Sequence, residues 1–196
     1  MEIEEQFTDR HTEGKYHALD KYGCDLTDMA LQGKLEPVTK RSCEVDQLIE
    51  VLARKTGSPL LVGDSVDKFS VIQELVHRIV NGNVPDFLQK RKIVALDLGK
   101  LVAGAKYRGE FEERVEEVLT DIRKSEGKII PYFDELWAGI TDGDWDISLM
   151  LKFPLALGEF KCIAATVSKH VDYFRGKGLL ARQFKIVSVN KTETSG

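Results

Sequence analysis

Leu60–Ser70 reads LLVGDSVDKFS, a short apolar run that ends in Gly63 and meets a lysine five residues later. A phosphate-binding loop needs a glycine, four spacers, a second glycine, a lysine and then serine or threonine. Its backbone N–H groups wrap the phosphates, the lysine neutralises the outer ones, and the hydroxyl holds magnesium. Here the spacing is one residue short, Asp67 stands where the second glycine belongs, and Lys68 is followed by Phe69. The order of strand, glycine turn and helix is that of an α/β sheet, while the loop chemistry is altered.

Working outward, SPLLVG (58–63), KIVALDLG (92–99), KIIPYFDE (128–135), KCIAATV (161–167) and FKIVSV (184–189) have the length and β-branched content of strands. Between them, Val45, Leu48, Ile49 and Leu52 fall at helical spacing. So do Ile72, Leu75, Val76 and Ile79, and Phe111, Val115, Val118, Leu119 and Ile122. Near-continuous apolar strands alternating with amphipathic helices predict a parallel sheet covered on both faces. The expected fold is a single α/β domain, a three-layer sandwich around a parallel sheet of about five strands. Residues 1–17 read as a flexible polar arm, 18–190 as the domain and 191–196 as a flexible tail. Ligands of such sheets bind beyond the carboxyl ends of the strands, here segments 63–70, 97–109, 134–146 and 166–170.

The 196 residues suffice for one domain with a proper core. A net charge of −4 disfavours nucleic-acid binding by phosphate neutralisation. No apolar run approaches the roughly 18 residues of a membrane span. The acidic start MEIEEQFTDR resembles neither a signal nor a transit peptide. Cys24, Cys43 and Cys162 lack metal-ligand spacing and read as reduced structural thiols. His11, His17, His77 and His170 are scattered, so no metal site is expected. A cytoplasmic setting follows, with the nucleus left open.

At DLGKLVAGAKYRGEFEERVEEVL (97–119) the chain resembles the AAA+ ATPases of the Clp family, specifically the first ATPase ring of ClpB-type disaggregases. KYGCDLTDMALQGKLEPV (21–38), RIVNGNVPDFL (78–88), DEL (134–136), LALGEFKCIAAT (155–166) and LLARQF (179–184) carry the same likeness. The resemblance implies a P-loop fold and an AAA+ large subdomain. It also implies relatives that form hexameric rings, bind ATP between subunits and draw polypeptide through a central pore. On that likeness the chain is expected to hold the large subdomain alone, without helical lid, N-terminal substrate domain, coiled-coil insertion or second ring.

Carried over residue by residue, the resemblance makes Gly63, Lys68, Asp134 and Thr166 a vestigial nucleotide site, with Glu135 and Arg182 as vestigial catalytic groups. Asp134 would assist magnesium and Glu135 polarise water. Thr166 would sense phosphate, and Arg182 would reach a neighbouring subunit, Gln183 replacing a second arginine. Asp67 puts a carboxylate where polyphosphate charge belongs, a repulsion of about 4 kcal/mol at ~4 Å and an effective dielectric near 20, unless it pairs with Lys68. Ser70 is turned away from the hydroxyl position. Pro131, which cannot donate a ladder hydrogen bond, is expected to distort the strand under Asp134 and Glu135. Near the expected adenine pocket, Lys40 stands where the family usually has glycine.

GAKYRGEFEER (104–114) is unaltered, and by resemblance Tyr107, flanked by Lys106 and Arg108, forms a peptide-contact loop. Trp137 reads as a core residue, and Trp145 fits either core or an exposed partner surface. The expectation is therefore a non-catalytic ClpB-like pseudo-ATPase. Its partner would be a second copy, another protein or an intact Clp-type ATPase. No cofactor is expected, ATP and magnesium binding weakly at most. The alternative is weak residual ATP binding and hydrolysis in chaperone-type remodelling.

Overall fold

The five apolar runs become parallel strands and the amphipathic segments cover both faces, in a computed structural model that describes residues 15–38, 40–136, 147–176 and 178–190. The parallel strands are β2 (Ser58–Val62), β3 (Lys92–Leu96), β4 (Ile129–Phe133), β5 (Ile163–Thr166) and β6 (Phe184–Ser188). The sheet has one strand more than the sequence predicts. β1 (Gly23–Asp25) adds antiparallel to β3, giving the order β1-β3-β4-β5-β2-β6. Three residues are too few to show an alternating pattern, so β1 carried no sequence signal. Where β1 stops pairing, the buried Thr27 hydroxyl takes over and accepts the Ile93 N–H at 2.9 Å.

The helices are α1 (His17–Tyr22), α2 (Leu26–Leu31), α3 (Ser42–Ala53), α4 (Ser65–Val80), α5 (Leu98–Val102), α6 (Arg108–Lys124), α7 (Ile147–Ala156) and α8 (Val171–Arg175). Each periodic set lands on a covered face. Val45, Leu48 and Leu52 of α3 and Ile72, Leu75, Val76 and Ile79 of α4 fill one core with Leu61, Ile93, Tyr132, Ile163 and Ala165. Phe111, Val115, Val118, Leu119 and Ile122 of α6 fill the other with Phe133, Ala164, Leu151 and Phe160. Alternate residues of β4 and β5 thus face opposite layers, as a pleated central sheet requires.

The distortion expected from Pro131 is not found. All five β4 residues register with β3, Val94 opposite Pro131. On the other side the ladder with β5 begins at Tyr132, so no bond is demanded of the proline there. α1 is docked by a buried charge: the Asp121 carboxylate accepts the backbone N–H groups of Ala18 at 2.8 Å and Leu19 at 3.4 Å. This helix starts at His17, the last residue assigned to the arm. Trp137, Trp145 and His11 lie outside the described residues. Of the three thiols only Cys162 is buried; Cys24 and Cys43 are exposed.

Candidate functional site

The carboxyl ends of β2, β4 and β5 bring Gly63, Lys68, Glu135 and Thr166 together, with Asp134 beside them. What lies between them is not a loop. β2 ends at Val62 and α4 begins at Ser65, leaving only Gly63 and Asp64 to turn the chain. Gly63 is there for room: a Cβ would sit 2.7 Å from the Val189 carbonyl oxygen. Its N–H donates to the Thr166 carbonyl at 3.3 Å and so continues the sheet.

Because α4 starts three residues before it, Lys68 lies inside the helix rather than at its mouth. Its side chain is fully buried and ion-paired with Glu135. The Ser65 hydroxyl donates to the same carboxylate at 3.4 Å. Glu135 holds a left-handed backbone conformation, φ +48°, which costs a β-carbon residue about 1 kcal/mol. The pairing of Asp67 with Lys68 anticipated from the sequence does not occur. Asp67 pairs instead with Arg41, a residue that the sequence reading did not single out.

Arg41 is almost completely buried. Its guanidinium also donates to Glu44 at 3.3 Å and to the Asn190 carbonyl at 2.6 Å, and its N–H donates to Glu74 at 2.7 Å. The residue before it, Lys40, has φ +91°. The backbone there keeps the glycine-type conformation that the resemblance implies, with a lysine in it. That turn aims Arg41 inward, onto the first turn of α4. Phe69 is half-buried against the core, and the Ser70 hydroxyl donates back to the Val66 carbonyl at 2.9 Å.

Asp134 is exposed at the end of β4. Below it the Tyr132 phenol is buried beside the Asp134 carboxylate, and burial, then the Asp134 charge, push its ionisation well above the ordinary range. Thr166 is buried, its hydroxyl without a hydrogen-bond partner among the described residues. Arg182 is exposed in the single turn Ala181–Gln183 that precedes β6. No cluster of three metal-ligating His, Cys, Asp or Glu side chains occurs among the described residues.

The loop 103–107 is well held by the helix that follows it. Tyr107 is 63% exposed at the N-cap of α6, with Lys106 and Arg108 exposed on either side. Arg114 donates to the Leu101 carbonyl at 3.0 Å, the Ala103 carbonyl at 2.7 Å and Glu110 at 2.7 Å. Glu110 accepts the Lys106 N–H at 3.0 Å. That backbone bond, with Arg114 beside it, holds its carboxyl below the usual glutamate range. Arg108 is tied along the helix to Glu112 at 2.7 Å.

The chain is similar over most of its length to known proteins. A family model described as the SMAX1 nucleotide binding domain matches residues 34–142. The chaperone protein ClpB 1 of Synechococcus elongatus is 44% identical over 194 residues, covering 95% of this chain and 22% of that protein. The chloroplastic chaperone protein ClpB3 of Arabidopsis thaliana is 45% identical over 190 residues, 93% of this chain and 20% of that protein. Among solved structures, the S. cerevisiae Hsp104:casein complex in its extended conformation has a TM-score of 0.80 at 37% identity, covering 90% of this chain and 31% of that one. The chain thus spans about a fifth of the length of the curated relatives it matches.

Proposed function

Because the chain belongs to the ClpB-type AAA+ nucleotide-binding-domain family, we propose that it is a member that does not hydrolyse ATP and acts through association with protein. One observation carries this reading: Lys68, the cation a triphosphate would need, is fully buried and neutralised by Glu135, the carboxylate that would polarise water. Each group the reaction requires is the other's partner. The neighbouring charges are matched as well, Asp67 by Arg41. The residues at this site do not fit magnesium–ATP. The turn from β2 into α4 is only two residues long, Gly63 spends its N–H on the sheet, and Phe69 stands where a hydroxyl should follow Lys68.

The relatives carry chaperone names, and the solved neighbours include Hsp104 with casein. An associating role on the same scaffold, with self-association or an intact Clp-type partner, is the simplest use of what remains. A cytoplasmic setting belongs to this proposal; no described helix is long and apolar enough to cross a membrane. The reading of weak residual ATP turnover draws support from Thr166, whose buried hydroxyl awaits a partner, and from the exposed Asp134.

Titration with labelled ATP and magnesium separates the two. The expected result is no saturable binding up to millimolar nucleotide, beside saturable binding by the S. elongatus relative. Magnesium-dependent binding that disappears in Lys68→Met would refute the non-catalytic reading. Lys68→Ala is a poor control, because it opens a cavity in the core as well as removing charge.

A further inference from the structure

The loop 103–107 joins two helices, α5 before it and α6 after it, and α1 is tied to both of them. At the start of α1, the N–H groups of Ala18 and Leu19 donate to Asp121 in the last turn of α6, at 2.8 and 3.4 Å. At its end, the Tyr22 carbonyl accepts the N–H of Asp97 at 2.9 Å. Asp97 is the N-cap of α5, its carboxylate accepting the Lys100 N–H at 3.0 Å. Between these ties, Ala18, Leu19 and Tyr22 are buried in one core with Leu101 of α5 and with Phe111 and Val115 of α6.

The bond to Asp121 decides whether α1 is a helix at all. A helix leaves its first N–H groups unsatisfied, and six residues are far fewer than a helix needs to stand alone in water. α1 has no side-chain cap of its own at Tyr16. A carboxylate more than a hundred residues along the chain, only 6% exposed, supplies one instead. Docking and folding of α1 are therefore a single event. The loop depends on the same packing. Arg114 holds it through the Leu101 and Ala103 carbonyls, and Leu101 lies in the cluster that α1 completes. Beyond α1 the chain has its own anchors, because β1 pairs with β3 and the Thr27 hydroxyl accepts the Ile93 N–H.

We propose that α1 is a releasable brace. Docked through Asp121, it clamps α5 to α6 and keeps 103–107 in shape; undocked, it frees that loop while the sheet stays folded. The brace couples the chain ahead of α1 to the exposed segment Lys106–Tyr107–Arg108, so that a pull or a partner at one is felt at the other.

Native-state hydrogen exchange of the whole chain in low urea, read residue by residue by NMR, tests this. The reporters of the brace are the N–H groups of Ala18 and Leu19. Those of the loop are Ala103, Ala105 and Lys106, bonded to the Gly99 carbonyl, the Val102 carbonyl and the Glu110 carboxylate. Ile163, Ala164 and Ala165 report on the sheet. In the parent chain, brace and loop are expected to exchange through one shared opening, with the same urea dependence, and faster than the sheet. Asp121→Ala puts the best helix former into α6 and should speed brace and loop by the same factor, about tenfold or more. Asp121→Asn keeps an acceptor oxygen and should recover much of that loss. Loop exchange left unchanged by Asp121→Ala while the brace exchanges faster would overturn the proposal. So would brace exchange that Asp121→Ala does not alter. Should the variants fail to fold, the parent decides alone: brace and loop openings with different urea dependences, or a brace that opens only with the sheet, refute the coupling.

Discussion

The Lys68–Glu135 pair makes an asymmetric prediction. The Lys68 side chain is 0% exposed and that of Glu135 is 23% exposed. Removing one partner of a buried pair typically costs about 3–5 kcal/mol, because the survivor keeps a charge that water cannot reach. Glu135→Gln creates this situation, stranding an ammonium group in the core with only an amide to face. Lys68→Met keeps most of the apolar stem and leaves a carboxylate that can turn towards solvent, so about 1–2 kcal/mol is expected. The double variant should return to within roughly 1 kcal/mol of the parent, since apolar replacement of buried pairs is often neutral. A double-mutant cycle from urea unfolding followed by circular dichroism gives all three values and their coupling. In thermal melts, at roughly 2–4 °C per kcal/mol for a chain of this size, Glu135→Gln should melt markedly below Lys68→Met. Equal costs for the two single variants, or a costlier Lys68→Met, would refute the burial asymmetry on which the reasoning stands.

Lys40→Gly relieves a left-handed backbone residue and should stabilise the protein by about 1 kcal/mol, read as a raised urea midpoint at constant m. A loss of stability would show that the lysine side chain matters more than its backbone. Cys162 is buried and its thiol is pushed up to about 12, so at mildly alkaline pH a disulfide reagent should titrate Cys24 and Cys43 quickly and Cys162 only on unfolding. Glu110 has a depressed folded-state pKa, so its hold on the Lys106 N–H is present above the ordinary glutamate value and is lost as pH falls through the folded one. Limited proteolysis at 103–107 should therefore rise at the acid end of the profile. In Glu110→Gln it should already be high at neutral pH.

The helices α3, α4 and α6 were legible because their apolar residues repeat at helical spacing over three or more turns. The parallel strands were legible because burial on both faces leaves near-continuous apolar runs. The start of α4 follows a local signal, since Asp64-Ser65-Val66-Asp67 carries the residue types of a helix N-terminus. The structure follows the local signal, although Asp64 makes no capping hydrogen bond. Asp121 could have been noticed as a carboxylate within the buried row of α6, but nothing in sequence names α1 as its partner, over a hundred residues away. Arg41 had no signal beyond its place after Lys40, and its partners Asp67, Glu74 and Asn190 are brought to it only by the fold.

In the sequence, the shortened spacing, Asp67 and the missing hydroxyl look like separate losses. In the structure they form one rearrangement. Starting α4 at Ser65 draws Lys68 from the mouth of the helix into the core, where a lysine is tolerable only with a carboxylate, and Glu135 is the carboxylate within reach. The same shift turns Asp67 towards Arg41, which the Lys40 turn has pointed inward. Phe69 then falls on the apolar side of the helix, where an aromatic ring is an asset and a hydroxyl would not be. On the proposed non-catalytic reading, a triphosphate entering here would have to compete with two partly or fully buried ion pairs. The groups that bind nucleotide in a working loop are here spent on holding α4 to β4 and to the Arg41 turn.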